Sequence, residues 1–245
     1  ASKVKLDNIL FCEQSSVFPL GEKYTKLASD DYIFLEKFLD VTKANLFFAK
    51  GIILVEGWAE ELLISSFAKC IDIDLTKRGV SIVNIGSTAF QRYSRIFLRK
   101  GEPLMNIPIA IVTDSDICAY VKNNGIIEKM DDEKFREDTR TKIAQLEQKS
   151  EHNLRYFVSP KWTLEYSLYH SNVFRWLFLD VVKSIHTKAD WDRECEETLA
   201  SKLINHTLEK SEIAYQLANR IDNEIKLKTE GMPSVPMFYM DLLEE

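Results

Sequence analysis

The stretch that decides the fold is GIILVEGWAE at residues 51–60, and PIAIVTDSD at residues 108–116 repeats its design. Each begins with an uncharged, β-branched run, which is typical of a buried strand in a parallel sheet. Each run ends in a carboxylate pair, namely Glu56 with Glu60 and Asp114 with Asp116. In open α/β sheets, ligands gather beyond the carboxyl ends of the strands. The pattern therefore predicts four acidic groups at one edge of a sheet.

Four carboxylates at one edge imply a bound cation. Like charges that share a site repel one another strongly unless a cation lies among them. Hard oxygen ligands favour Mg²⁺ or Mn²⁺, with Ca²⁺ as a further candidate. The sequence therefore predicts a divalent metal site at the carboxyl ends of these strands.

The order of elements predicts an α/β fold with a mostly parallel sheet flanked by helices, because strands and helices alternate with short links. The predicted strands are 52–55, 80–84, 107–113 and 153–158, with helices near 58–70 and 88–100 between the first three. The charged stretch 128–152 is expected to be a solvated helix. Beyond residue 160 the pattern is helical throughout, over 163–186, 190–208 and 210–228. An appended C-terminal helical region is therefore expected.

The segment before the sheet contains a strand candidate at residues 8–12 that has little to pair with. Ser29 or Asp30 is expected to cap a helix that runs to about residue 50. We therefore expect three parts, namely a connector and helix at 1–50, an α/β core at 51–160 and a helical region at 161–245.

Composition places few limits on function. The chain has 245 residues, 45% of them hydrophobic and 29% charged, which is ordinary for a globular protein. No apolar run approaches the length that a bilayer requires, so no membrane contact is expected. The four cysteines follow neither a disulfide nor a zinc pattern, which suits a reducing cytoplasm. The net charge of −6 does not itself suggest nucleic acid, although bound divalent ions would offset much of it.

The acidic motifs and their surroundings resemble a Toprim domain, a module of topoisomerases, primases, recombination mediators and OLD (overcoming lysogenization defect) nucleases. The sequence of these motifs is most similar to that of the OLD family. The similar segments are residues 18–64, 80–97, 107–116, 162–168 and 210–221. The resemblance implies that an ABC-type ATPase domain precedes Ala1 in the intact protein and that this chain is the nuclease half. Since the chain does not begin with methionine, we expect a piece of a longer protein or a processed terminus.

The resemblance also bears on individual residues. Glu56 precedes Gly57, which permits a tight turn, and a ligand role is favoured over an ordinary strand-end glutamate. Spacing alone leaves Glu60 open between a helix-dipole partner and a ligand, and the resemblance implies a ligand. Asp114 and Asp116 are favoured as ligands over turn caps.

Two further residues are implied by the resemblance alone. An early-turn glutamate such as Glu165 usually caps its helix, but its match to the OLD family's LEY segment implies a ligand of a second metal ion. Lys210 would ordinarily lie in solvent, and its context implies that it neutralises charge on the phosphoryl oxygens or the leaving group.

A basic stripe on the predicted helix 88–100 is a candidate DNA contact. Arg92, Arg95 and Arg99 share one face, which is either solvated or a track for phosphates, and its place beside the acidic edge favours the track. Ser87 can contact a phosphate, and Thr88 serves equally well as a helix cap. Two tryptophans flank the acidic motifs, Trp58 and Trp162, and for both we expect packing rather than stacking on a nucleobase.

These features favour a metal-dependent DNA endonuclease or nickase with two ions per site, in which Glu56, Asp114 and Lys210 are catalytic. The main alternative is a non-catalytic Toprim-like module that binds DNA or a partner. A topoisomerase or primase is disfavoured by the lack of a zinc module and of an identifiable nucleophilic tyrosine. A haloacid-dehalogenase-like phosphatase would not explain the EGxxE motif. A homodimer through the helices of residues 190–230 is left open.

Overall fold

The computed structural model describes residues 5–13, 15–39, 43–87, 89–191 and 195–229. The chain forms two compact units. The first unit comprises residues 1–57, 75–112 and 149–157, and the second comprises 58–74, 113–148 and 158–245. These units describe packing, whereas the expected boundaries at 50 and 160 describe modules of sequence and stay a prediction.

The elements follow one another in this order. The strands are β1 (Leu10–Glu13), β2 (Ser16–Pro19), β3 (Gly51–Val55), β4 (Val80–Asn84), β5 (Ile109–Thr113), β6 (Tyr120–Asn123), β7 (Ile126–Lys129) and β8 (Leu154–Val158). The helices are α1 (Ser29–Phe38), α2 (Trp58–Cys70), α3 (Phe90–Ser94), α4 (Asp132–Glu147), α5 (Leu164–His170), α6 (Arg175–Ile185), α7 (Cys195–Ile204) and α8 (Lys210–Thr229). Short 3-10 helices cover Leu6–Asn8 and Lys43–Phe47.

The central sheet has the strand order β4-β3-β5-β8. β3 runs parallel to β4 and to β5, with Leu54 opposite Ile111. The Ile109 amide donates to the Asn153 carbonyl and the Ser159 amide to the Thr113 carbonyl, so β8 is parallel to β5 as well. The β-branched run of β3 lies between two neighbouring strands, and its residues are all buried or half-buried, as is typical of an inner strand of a parallel sheet. The predicted fold class, α/β with a parallel sheet and a helical C-terminal region, is confirmed.

The start of the first unit differs from the prediction. β1 pairs with β2 as an antiparallel hairpin, so the N-terminal strand does have a partner. α1 begins at Ser29, the residue predicted as its cap, and the Ala28 amide before it donates to the buried Asp31 carboxylate at 3.0 Å. α1 also ends at Phe38 rather than near residue 50, and a 3-10 helix follows at Lys43–Phe47.

The second unit is held together by helix packing, chiefly of α2 against α8. The apolar side chains of both helices enter one buried cluster, since they recur at helical spacing. Leu63 of α2 and Leu217 of α8 are 1% and 0% exposed. An ion pair between Lys69 and Asp222, 2.6 Å apart, joins the same two helices at the surface, where such pairs contribute little.

A hairpin of β6 and β7 precedes α4 in the second unit. Its turn residues Asn124 and Gly125 have φ values of 50° and 86°, the positive values that a type I′ turn requires. The prediction of one helix over 128–152 is therefore wrong at its start. α4 itself begins after Asp131, whose carboxylate accepts from the amides of Glu133 and Lys134.

The helix expected over 163–186 is two helices, α5 and α6. Ser171 lies at the break, where its hydroxyl accepts from the amides of Val173 and Phe174 at 3.2 and 2.9 Å. Serine competes in this way for backbone donors that a continuous helix would use. No helix in the described part of the chain is both long and apolar enough to cross a membrane.

The α2–α8 interface gives a test of the packing. Leu217→Ala should lower the free energy of unfolding by about 2–5 kcal/mol, because it leaves a cavity in a fully buried cluster. Tyr215→Ala on the same helix removes a side chain that is 54% exposed and should change it by less than about 1 kcal/mol. Urea unfolding followed by circular dichroism measures both, and equal losses would contradict the described packing.

Candidate metal centre

Five predicted site residues belong to the second unit, and four of them, all but Asp116, are each held by a different element. Glu60 is in the first turn of α2, Asp114 follows β5, Glu165 is in the first turn of α5 and Lys210 begins α8. The Lys210 ammonium lies 2.8 Å from Oε2 of Glu165. It also interacts electrostatically with Asp114 and Glu60. The fold therefore gathers three carboxylates around one cation.

The charge state of Lys210 follows from these neighbours. Burial by itself lowers the pKa of an ammonium, because it penalises the charged form. The attraction and hydrogen bond of Glu165, followed by the charges of Asp114 and Glu60, outweigh burial and raise the pKa of Lys210 above its ordinary value. Lys210 is therefore a full cation at neutral pH.

Glu165 is the most enclosed carboxylate of the group, with 2% of its surface exposed. The cap of α5 is Thr163, whose hydroxyl accepts from the Tyr166 amide at 3.2 Å, so Glu165 is not the capping residue. Oε1 of Glu165 is buried and has no hydrogen-bond partner among the described residues. An unsatisfied, buried carboxylate oxygen is costly, and it is also a suitable ligand for a hard divalent ion.

The acidic loop after β5 is anchored to the segment before α5. Ser115 is fully buried, and its hydroxyl lies 3.5 Å from the Trp162 carbonyl. The Asp116 amide donates to the same carbonyl at 3.2 Å, and Asp116 has a positive φ of 57°. The chain therefore turns sharply at Asp116, while Asp114 before the turn is half-buried and Asp116 is exposed.

Glu56 belongs to the first unit, where it follows the last residue of β3 and is half-buried. Its role as a ligand or base stays a prediction from the EGxxE motif. Within the described ranges, no group of three or more His, Cys, Asp or Glu side chains is already arranged to hold a metal ion. Of the predicted ligands in the second unit, Glu60, Asp114 and Glu165 interact with Lys210.

The predicted arginine stripe does not form. α3 ends at Ser94, so Arg95 caps it and Arg99 lies beyond it. Arg99 is 7% exposed, donates to the Pro19 carbonyl at 2.7 Å and lies over aromatic rings, which makes it a packing residue of the first unit. The prediction that it shares an exposed helical face is therefore wrong.

The other two arginines of the predicted stripe are paired. Arg92 and Arg95 lie 3.4 and 3.5 Å from the carboxylate of Asp31, which is buried at the start of α1. Ser87 is exposed, and its hydroxyl accepts from the Ala89 amide at 3.3 Å. Thr88 lies outside the described residues. DNA contact by Arg92, Arg95, Arg99 and Ser87 stays a prediction.

The two tryptophans differ from each other. Trp162 is 5% exposed, as the packing prediction requires, whereas Trp58 is 64% exposed at the first residue of α2. The packing prediction is therefore wrong for Trp58. Its ring stands at the helix end that also carries Glu60.

A polar network around Glu196 was not predicted from the sequence. Tyr166 donates its hydroxyl to Glu196 at 2.7 Å, Tyr120 hydrogen-bonds to the same carboxylate, and the side chains of Lys129 and His170 lie within 4 Å. A cavity of about 250 Å³ adjoins this network. In the sequence Glu196 is only an acidic residue in the first turn of α7, and its partners lie 26 to 76 positions away, so no local pattern marks it.

Comparisons with known proteins agree with the acidic motifs. Residues 47–116 match the family model described as the TOPRIM domain of proteins like overcoming lysogenization defect protein. Endonuclease GajA of Bacillus cereus (strain HuB5-5) is 31% identical over 103 residues, which cover 41% of this chain and 14% of that protein. The matched stretch is therefore a small part of that relative.

Solved structures of two bacterial proteins are also similar. The C-terminal region of the Xanthomonas campestris pv. campestris OLD protein has a TM-score of 0.46 and 22% identity, and it covers 76% of this chain and 99% of that one. The corresponding region of the Burkholderia pseudomallei OLD protein has a TM-score of 0.44 and 24% identity, with 76% and 99% covered.

The family match defines residues 47–116 as a Toprim domain. More particularly, the chain carries the Toprim domain of an OLD-like protein, and the recognition made from the sequence is confirmed.

The Glu196 network predicts a dependence of stability on pH. Burial by itself raises the pKa of this carboxyl. The Tyr166 hydrogen bond and the charge of Lys129, together with its other neighbours, lower the pKa by more than burial raises it, so it lies below its ordinary value of 4.5. A carboxyl whose pKa is lower in the folded protein stabilises the fold at pH values above its ordinary pKa. This contribution is lost as the pH falls through the pKa of the folded state. Glu196→Gln should therefore cost about 1–3 kcal/mol at pH 7 and progressively less below pH 4.5.

Urea unfolding of wild type and Glu196→Gln at both ends of this range makes the comparison. Glu197→Gln is the matched control, because its neighbouring side chain is exposed. A stability gap of equal size at all pH values would contradict the ionised role of Glu196.

Proposed function

We propose that this chain is the nuclease part of an OLD-type ATPase-nuclease and hydrolyses phosphodiester bonds of DNA with divalent metal ions. The observation that carries the proposal is the grouping of Glu165 with Glu60 and Asp114 around Lys210, since Glu60 and Asp114 belong to the OLD-like Toprim match over residues 47–116. The buried carboxylate of Glu165, with its unpartnered Oε1, and the half-buried carboxylates of Glu60 and Asp114 fit Mg²⁺ or Mn²⁺, with Ca²⁺ as a further candidate.

In the proposed mechanism the ion-binding residues are Glu56, Glu60, Asp114, Asp116 and Glu165. When bound, two divalent ions supply activation of the attacking water and stabilisation of the leaving oxygen. The water oxygen forms a bond to phosphorus, the bond to the leaving oxygen breaks, and Glu56 accepts the proton. Lys210 holds its positive charge toward the phosphoryl oxygens as negative charge builds on them. The raised pKa of Lys210 keeps its ammonium protonated during the reaction.

The intact protein is part of the proposal. DNA as substrate, an ATPase domain in the same chain, a homodimer and a cytoplasmic location are all proposed, as is the mechanism with two ions. DNA as substrate is supported by the name of the longer relative, an endonuclease, and the ATPase domain and metal ions by the likeness to an OLD-type Toprim domain.

A non-catalytic module that binds DNA or a partner is the competing function. A binding module has no need of a lysine beside its carboxylates, whereas hydrolysis does, because the transition state gains negative charge. The pairing of Lys210 with Glu165 therefore favours the nuclease.

Cleavage of supercoiled plasmid tests the function. Wild type should nick or linearise plasmid with Mn²⁺ or Mg²⁺ and not with EDTA. Asp114→Ala should lose on the order of 100-fold or more in rate, since even outer partners of metal ligands are worth 10–100-fold. Glu137→Ala, which removes an exposed carboxylate of α4, should cleave like wild type.

Two results would count against the nuclease. Cleavage that persists in EDTA or in Asp114→Ala would remove the acidic cluster from the mechanism. Binding of DNA by a folded wild type without cleavage under any of these metals would favour the non-catalytic module.

The exposed ring of Trp58 predicts a contact with DNA bases. Aromatic stacking on a base contributes about 1–3 kcal/mol. Trp58→Ala should therefore weaken binding to single-stranded DNA by roughly 5- to 150-fold, and Trp58→Phe by less. Trp176→Ala is the control, since that ring is 46% exposed on α6. Fluorescence anisotropy with a labelled oligonucleotide in Ca²⁺ measures these affinities, and equal effects of the two Ala variants would contradict the stacking role.

A further inference from the structure

We propose that Lys210 and a divalent metal ion compete for Glu165, so that the lysine holds the metal affinity of the site down. The inference rests on the proposed metal-dependent function and assigns Lys210 a second role besides charge stabilisation. It is carried by the position of the ammonium, 2.8 Å from a carboxylate oxygen of a buried side chain.

The two partners differ in their freedom to move. The Glu165 side chain is 3% exposed, and its helix α5 is fixed by the neighbouring Tyr166 and Leu168, which are 3% and 5% exposed. The Lys210 side chain is 44% exposed and has a flexible stem of four carbons. Glu165 therefore stays in place when its partner changes, and Lys210 is the group that can leave.

The charges explain why the two cations oppose each other. Lys210 forms an ion pair with Oε2 of Glu165, and Oε1 has no hydrogen-bond partner within the described residues. A divalent ion on Oε1 would share one carboxylate with the ammonium, and like charges that share a site repel each other. The ammonium also attracts Asp114 and Glu60, so it acts on the same carboxylates that the ion requires.

Competition of this kind is reciprocal. If the lysine weakens metal binding by some factor, bound metal weakens the lysine's hold on Glu165 by the same factor. Couplings between two sites in one protein are typically about 5- to 150-fold. We expect about tenfold or more here, because both cations address one carboxylate.

The first test measures binding of Mn²⁺ alone, without DNA. The signal of unbound Mn²⁺ in electron paramagnetic resonance gives the Kd for wild type, Lys210→Met, Lys210→Arg and Lys226→Met at pH 8. Lys210→Met should bind about tenfold more tightly than wild type. Lys210→Arg keeps the charge and should change the Kd by less than about threefold.

Lys226→Met is the matched control. It removes the same charge from the same helix α8, roughly 24 Å along its axis. It should leave the Kd within about twofold of wild type, which separates the local effect of Lys210 from a general change in net charge. An unchanged or weaker Kd for Lys210→Met, or an equal gain for Lys226→Met, would overturn the proposal.

The outcome for this inference is distinct from that for the nuclease. Wild type that cleaves plasmid with Mn²⁺, together with a Lys210→Met variant that binds Mn²⁺ no better, would leave the nuclease standing and remove the competition. Tighter Mn²⁺ binding by Lys210→Met in a protein that never cleaves would support the competition and remove the nuclease. Absence of Mn²⁺ binding in every variant would overturn both.

A second measurement uses wild type alone and does not depend on the folding of Lys210→Met. Acetylation of individual lysines, read by mass spectrometry, reports how accessible and how basic each amine is. Mn²⁺ should speed acetylation of Lys210 several-fold relative to Lys226, because the released amine loses its partner Glu165. An equal or slower rate at Lys210 in Mn²⁺ would overturn the competition.

Discussion

The parallel pairing of β3 with β5 is the constraint on which the first unit and the acidic motifs depend. Leu54 lies opposite Ile111, so the two strands end at the same edge of the sheet. The chain leaves β3 through Glu56 and β5 through Asp114, because each apolar run stops where an acidic motif begins. A shift of one residue in this register would turn every side chain of a strand to the opposite face. The register of the sheet therefore specifies where each strand ends and where its acidic motif begins.

Local patterns predicted much of this fold. β4 and α2 have the predicted bounds, and the bounds of β3 and β8 each differ from the prediction by one residue. These elements could be predicted because hydrophobic runs and helical spacing are patterns of residues close together in the sequence. The β6–β7 hairpin was not predicted, because its strands are only four residues long and mostly exposed. By contrast, the burial of Arg99 and the exposure of Trp58 depend on residues distant in the chain. Periodicity alone carries no information about such contacts.

Buried carboxylates are treated in the same manner in both units. Asp31 is 3% exposed and is neutralised by Arg92 and Arg95, while Glu165 is 2% exposed and is neutralised by Lys210. Each pair avoids the large cost of an isolated buried charge. The difference lies in the partner: two guanidinium groups hold Asp31, whereas one lysine on a flexible stem holds Glu165. The first arrangement suits a structural role, and the second suits a site whose ligands exchange.

The Trp162 carbonyl joins the acidic loop to the segment that leads into α5. One backbone oxygen contacts both Ser115 and Asp116, and it lies three residues before Glu165. Every residue type carries a backbone carbonyl, so this link does not depend on which side chain stands at position 162. The anchoring of the acidic loop is therefore insensitive to substitutions that the loss of a side-chain partner would make costly.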